Sequence, residues 1–282
     1  MFCLKVENAR GEIFELTHDT KNYAIVHVDG LTPPKSLINT SVGGGMDGTF
    51  YNSARVDQRN IVLTVVFNGD IEGNRQRLYK MFPQKSPCII YFSNANRNVK
   101  ITGYVEAMEA DLFVQREQMQ ISLICPRPFW ESLEVLYHEL SRITKLFEFP
   151  FAISTPIPFS EILSTPLCTI KNDGDVECGC VITVEISDAV SDLKIYNMTT
   201  GELFGFDYNF IAGDEVTIST VSGKMGVSMK RSGETINMLN YVTSNSSWFR
   251  LALGDNDFTF RSKGGADDVR IKFATSILYG GV

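Results

Sequence analysis

The stretch "GGGMDGTFYNSARVDQRNIVLTVVFNGD", residues Gly43 to Asp70, is where the fold is decided. Its glycines at 43, 45 and 48 satisfy G-x-G-x-x-G, the phosphate-cradling pattern of dinucleotide-binding folds. That chemistry needs a strand before the glycines and a helix after them, because the N–H groups at a helix start hold the pyrophosphate. Upstream, "GLTPPKSLINTSV" is broken by Pro33 and Pro34. Downstream, Ile61, Leu63, Val65 and Phe67 alternate with Val62, Thr64 and Val66, the two-residue period of a β-strand. With no helix following, the glycines read as a turn-forming loop, and Asp47-Gly48 as a tight turn into the next strand. Both faces of the strand are apolar. This predicts cover on each side, by core on one and by another layer or a partner subunit on the other.

The composition around this stretch is that of a globular protein. The 282 residues are 44% hydrophobic and 21% charged, a length for about two domains, each able to bury a core. The net charge of -7, with Lys and Arg scattered, gives no general attraction to nucleic acid or anionic membranes. No apolar run approaches the ~20 residues of a membrane span, and the N-terminus lacks the pattern of a signal peptide. Folding in a cytoplasm is therefore expected. The six cysteines are expected as reduced thiols buried in strands, with disulfide pairing as the alternative.

Residues 1–140 read as a β-rich domain with one helix through "DIEGNRQRLYKMFP", about residues 70–82. Asp70 caps its start and Pro83 stops it. Ile71, Arg75, Leu78, Tyr79 and Phe82 are expected on one side. Arg75, Arg77 and Lys80 lie on or beside the outer face, either solvated or touching an acidic neighbour. Strands follow in "PCIIYFS", "RNVKITGYVEAMEADLF" and "EQMQISLICP". Between 131 and 166, prolines at 150, 156, 158 and 166 stand among Phe147, Phe149, Phe151 and Phe159. That stretch reads as an interdomain crossing. Residues 141–282 form the second domain, whose short alternating segments separated by Gly, Asn and Asp turns predict an antiparallel β-sandwich.

Chemical motifs are scarce. His18, His27 and His138 stand near no nucleophile pattern, and no G-x-S-x-G, H-E-x-x-H or P-loop occurs. Cys168, Cys178 and Cys180 are the strongest metal candidates, but they lack the paired C-x-x-C of zinc sites and read as small core residues. The acidic turns "NDGD" (172–175), "AGDE" (212–215) and "GDND" (254–257) could suggest calcium. Without EF-hand spacing, Asx-type turns are the better reading. No cofactor, metal or catalytic residue is expected.

The C-terminal half resembles the galectin-like domain of the distal tail protein (Dit) family of long-tailed phages. The resemblance rests on "IKNDGDVECGCVITVEI", "IYNMTTGELFGFD", "IAGDEVTIST", "SSWFRLALGDNDFTF" and "VRIKFATSILYGGV". The first half is similar to the same family's N-terminal domain through "DGTFYNSARVDQRNIVLTVVFNGDIEGNRQRLYKMF", "ITGYVEAME" and "ISLICPRPFW". The family resemblance implies a non-enzymatic virion component at the tail tip, assembled in the host cytoplasm. It would form a homohexameric ring between the tail-tube protein and a hub or receptor-binding protein. In that setting Gly43, Gly44, Gly45, Asp47, Gly48, Arg55, Arg59 and Arg75 are candidates for inter-subunit contact, with the glycines letting a hairpin or arm reach the next copy. The competing readings are a carbohydrate-binding module, with Trp248 as the sugar-stacking candidate, and a wall hydrolase.

Overall fold

The computed structural model describes residues 2–16, 21–45, 47–114, 116–141, 143–145, 160–162 and 166–282. His18 and the expected crossing aromatics Phe147, Phe149, Phe151 and Phe159 lie outside the described residues. The chain divides into two compact units. Unit 1 comprises Met1–Glu134 together with Leu278–Val282, and unit 2 comprises Val135–Ile277. The protein is mainly β, with antiparallel pairing throughout and one α-helix among the described residues.

Unit 1 contains β1 (Cys3–Asn8), β2 (Ile13–Glu15), β3 (Tyr23–Asp29), β4 (Ser36–Ser41), β5 (Phe50–Val56), β6 (Arg59–Phe67), helix α1 (Ile71–Met81), β7 (Pro87–Ser93), β8 (Asn98–Asp111) and β9 (Gln118–Cys125). Strand β10 (Trp130–Ser141) begins in this unit. The long strand β8 organises it. Its first half pairs with β7 and its second half with β9, with a bulge between Val105 and Ala107. A bulge bends its strand and increases local twist. On one side the order continues to β1 and β2, and on the other to β6 and β3. Alternation sends one face inward. Val6, Ile61, Leu63, Val65, Ile90, Val99, Ile101, Ile121, Leu123 and Trp130 join one buried cluster with Leu78 of the helix.

The helix starts where the sequence indicates, with the Asp70 carboxylate accepting from the Gly73 N–H at 3.1 Å. Its buried stripe keeps Leu78 and Phe82 of the expected side but not Ile71 and Tyr79. Asn74, Leu78 and Met81 face inward, whereas Ile71 and Tyr79 are exposed. The cause is polar. The Asn74 side-chain amide donates to the Asn22 and Asn68 carbonyls at 3.2 and 2.8 Å, so this amide can be buried at little cost.

Unit 2 contains β11 (Ile143–Lys145), β12 (Ser160–Ile162), β13 (Cys168–Asn172), β14 (Val181–Ile186), β15 (Val190–Asn197), β16 (Glu202–Gly205), β17 (Asn209–Phe210), β18 (Glu215–Ser219), β19 (Gly226–Arg231), β20 (Glu234–Asn237), β21 (Gly254–Lys263) and β22 (Val269–Tyr279), the last of which runs on into residues 278–279. One sheet runs β22-β14-β18-β19-β20. The other runs β13-β21-β15-β16, with β17 also on β15. Phe258 of the second sheet meets Phe273 of the first at 4.7 Å between ring centroids, which marks the sandwich interior. Ile182, Val184, Ile195, Phe204, Val216, Ile218 and Ile271 are also fully buried.

Candidate inter-subunit surface

Strands β4 and β5 pair with each other and with no other described strand. All six residues of β4 and all seven of β5 are exposed. The glycine loop of Gly43–Gly48 is the tip of this arm. Gly45 and Gly48 have φ of +77° and +94°, a region side-chain-bearing residues avoid. A Cβ at Gly43 would stand 2.7 Å from the Phe50 ring. The loop is therefore a chain reversal, and no helix follows it to bind a phosphate.

The register divides the arm into two faces. Ser36 faces Val56, Ile38 faces Ala54 and Thr40 faces Tyr51. On the other side Leu37 faces Arg55, Asn39 faces Ser53 and Ser41 faces Phe50. Directly opposed residues of an antiparallel pair share a face. A bulge between Asn39 and Thr40 shifts the pairing by one residue of β5. Without it Tyr51 would lie opposite Ser41, on the other face. The bulge thus brings Ile38, Tyr51, Ala54 and Val56 to one side, with Ile38 64% and Tyr51 67% exposed. A lone two-stranded hairpin is marginal in water, and each of its strands has an unpaired edge that can template another strand.

The remaining sequence candidates fall in different places. Asp47 and Arg55 are exposed on the arm. Arg75 lies on α1, largely buried, where it pairs with Glu72 and, at 3.2 Å, with Glu117 of the same chain. Arg59 differs from the expectation. It is 2% exposed and donates to the carbonyls of Pro128, Gly30, Thr32 and Gly280, so its guanidinium is used inside its own protomer. Burial holds this guanidinium below its ordinary pKa, opposed by the Cys125 thiol. Trp248 is half-buried, edge-on to the buried Phe204 at 5.2 Å.

The other groups considered for chemistry are structural. Five cysteines are buried and Cys3 is half-buried, all six as free thiols. Burial pushes Cys88 up to about 11 and Cys125 and Cys180 up to about 12, far from a reactive thiolate. Among the described residues no cluster of three His, Cys, Asp or Glu could hold a metal. The acidic turns are internally bonded. The Asn172 side-chain Oδ1 accepts from the Gly174 N–H at 3.0 Å, and the Asn256 side-chain amide donates to the Ile170, Ala252 and Gly254 carbonyls. In the turn at 212–215 Asp214, with a fully buried side chain, receives a two-pronged bond from Arg231 at 2.7 and 2.6 Å. A cavity of about 250 Å³ in unit 2 is lined by Ser141, Glu185, Ser187, Asp267, Asp268 and Arg270, among others. Its polar groups bond one another or nearby charges, as Ser187 does Asp268 and Glu185 does Lys272.

Residues 173–276 match the family of the siphovirus-type tail component, C-terminal domain. The whole fold is similar to the crystal structure of the phage SPP1 Dit protein, described as a paradigm of the hub adsorption apparatus in phages infecting Gram-positive bacteria. The TM-score is 0.69 at 12% identity over 97% of this chain and 99% of that one. It is also similar to chains of the phage P2 baseplate in its activated conformation. With Ca the TM-score is 0.51 at 10% identity, over 97% of this chain and 98% of that one. With Sr the values are 0.51 and 10%, over 98% of each chain. A search of curated proteins gives no match.

Proposed function

We propose, for a chain whose residues 173–276 belong to the siphovirus-type tail component, C-terminal domain, family, a structural role at a phage tail tip. Copies close a homohexameric ring that joins the tail-tube protein to the hub and receptor-binding machinery. The observation that carries this reading is the β4–β5 arm, a hairpin exposed along its whole length with Ile38, Tyr51, Ala54 and Val56 gathered on one face. Such a hairpin gains stability by covering that face and pairing its edges, and a second copy of the chain supplies both. Ring closure needs a head-to-tail contact in which a projecting part of one subunit meets a different surface of the next. Burying each large apolar side chain of the arm contributes about 1.5–3 kcal/mol.

The protein acts here by shape, not by turnover, and works in the virion after assembly in the host cytoplasm. The lectin reading has less support, because the Trp248 indole is partly taken up by packing on Phe204. Native mass spectrometry tests the ring. The wild type is expected at six times the 31.5 kDa chain mass, and the double variant Ile38→Ser, Tyr51→Ser at lower stoichiometry with an unchanged melting temperature. A wild type that stays monomeric at tens of micromolar, or a double variant with the wild-type hexamer population, would overturn the reading.

A further inference from the structure

The arm has two legs. The incoming leg runs from Gly30 to Lys35, between β3 and β4, and the outgoing leg is Asp57–Gln58, ahead of Arg59 at the start of β6. They cross closely. A Cβ on Gly30, at φ +83°, would lie 2.1 Å from the Asn60 carbonyl oxygen. Arg59 joins them, donating to the incoming leg at Gly30 (2.5 Å) and Thr32 (2.8 Å). The same guanidinium donates at 2.5 Å to the carbonyl of Gly280.

Residues 279–282 run along this root. The Val282 N–H donates to the Leu31 carbonyl at 3.2 Å. Gly281 lies so close to Pro33 that a Cβ there would stand 2.8 Å from its Cδ. Arg97 donates to the Gly281 carbonyl and stacks 4.3 Å over the Tyr279 ring. Tyr279 and Val282 also pack against the core cluster of unit 1. The root of the arm is therefore built from three segments distant in sequence, residues 30–33, 59–60 and 279–282.

We infer that residues 279–282 are a latch that fixes the root of the arm and so sets the direction in which the arm meets a second copy. In sequence they follow unit 2, residues 135–277. The root is thus completed only after unit 2 has been synthesised, and the arm is unset until then. This ties ring assembly to completion of unit 2. It rests on the reading of the arm as the inter-subunit contact, but the latch can be measured without a ring.

Hydrogen exchange on the full chain is compared with Gly281→Ala, which places a Cβ against Pro33 while keeping Tyr279 and Val282, and with deletion of 279–282. Peptides covering 30–41 and 50–58 are expected to exchange at least roughly tenfold faster in both variants, with β7 and β8 unchanged as the control for folding. Native mass spectra of the same samples should show fewer rings at equal concentration. Unchanged exchange at 30–35 in Gly281→Ala overturns the latch whatever the ring does. Faster exchange with an undiminished ring population overturns its link to assembly. Rings persisting in Ile38→Ser, Tyr51→Ser would instead count against the arm as the contact.

Discussion

Arg59 offers five N–H donors, and its four hydrogen bonds all go to backbone carbonyls. Arg59→Met takes the guanidinium donor away from four part-buried carbonyls and is expected to cost about 3 kcal/mol in urea denaturation. Arg59→Lys should recover little, since a point ammonium cannot reach three segments at once. The resemblance offered Arg59 only as a candidate for inter-subunit contact, yet the sequence carried a signal of its burial. Residue 59 is in phase with Ile61, Leu63 and Val65, the inward face of β6. Parity alone does not show the burial, because a buried arginine needs acceptors, and those come from residues 30, 32, 128 and 280. Asp214 is a second such case. Burial pushes its pKa upward, but Arg231 and the Ile211 N–H more than offset this and hold it below the ordinary range. A carboxyl depressed in the folded state stabilises above its unfolded pKa of about 3.9 and loses that contribution as pH falls through the folded value. Asp214→Asn should therefore melt lower than wild type at pH 7, with the gap closing toward pH 2. A gap constant with pH would show that the charge pair does not contribute.

Among the elements, α1 separates what a pattern shows from what it hides. Its cap and its ends are local, and the sequence states both. Its inward side depends on Asn74 meeting two carbonyls from other segments, so hydrophobic spacing alone selected the neighbouring stripe. Alanine substitutions distinguish the two. Leu78→Ala should cost about 3 kcal/mol, and Tyr79→Ala less than about 1 kcal/mol. Equal losses would mean the helix packs through the other face. Strand β4 was hidden for a related reason. "SLINTS" has no buried face to impose alternation, and Pro33 and Pro34 precede it, so only the pairing with β5 reveals it. The glycine tip follows from the hairpin. Replacing Gly43, Gly44 and Gly45 with valine should reduce the ring population in mass photometry while leaving the unit 1 melting transition in place. Intact hexamers would show that the tip's shape is immaterial to the contact.

At the scale of the whole molecule, the short even strands of unit 2 were legible because each alternates on its own and its turns carry Gly, Asn or Asp. The return of residues 278–282 to unit 1 was not. "LYGGV" has no periodicity, and its place is fixed by Arg59, Arg97, Leu31 and Pro33, up to about 250 residues away in sequence. The same holds for the proposed ring, in which the exposed arm of one subunit would be covered by another copy. Negative-stain electron microscopy of the purified 282-residue chain tests this most directly. The account predicts six-fold class averages with a central hole, which disappear in the Ile38→Ser, Tyr51→Ser variant. Isolated single-chain particles in the wild type at every concentration, or six-fold rings that persist unchanged in the variant, would contradict it.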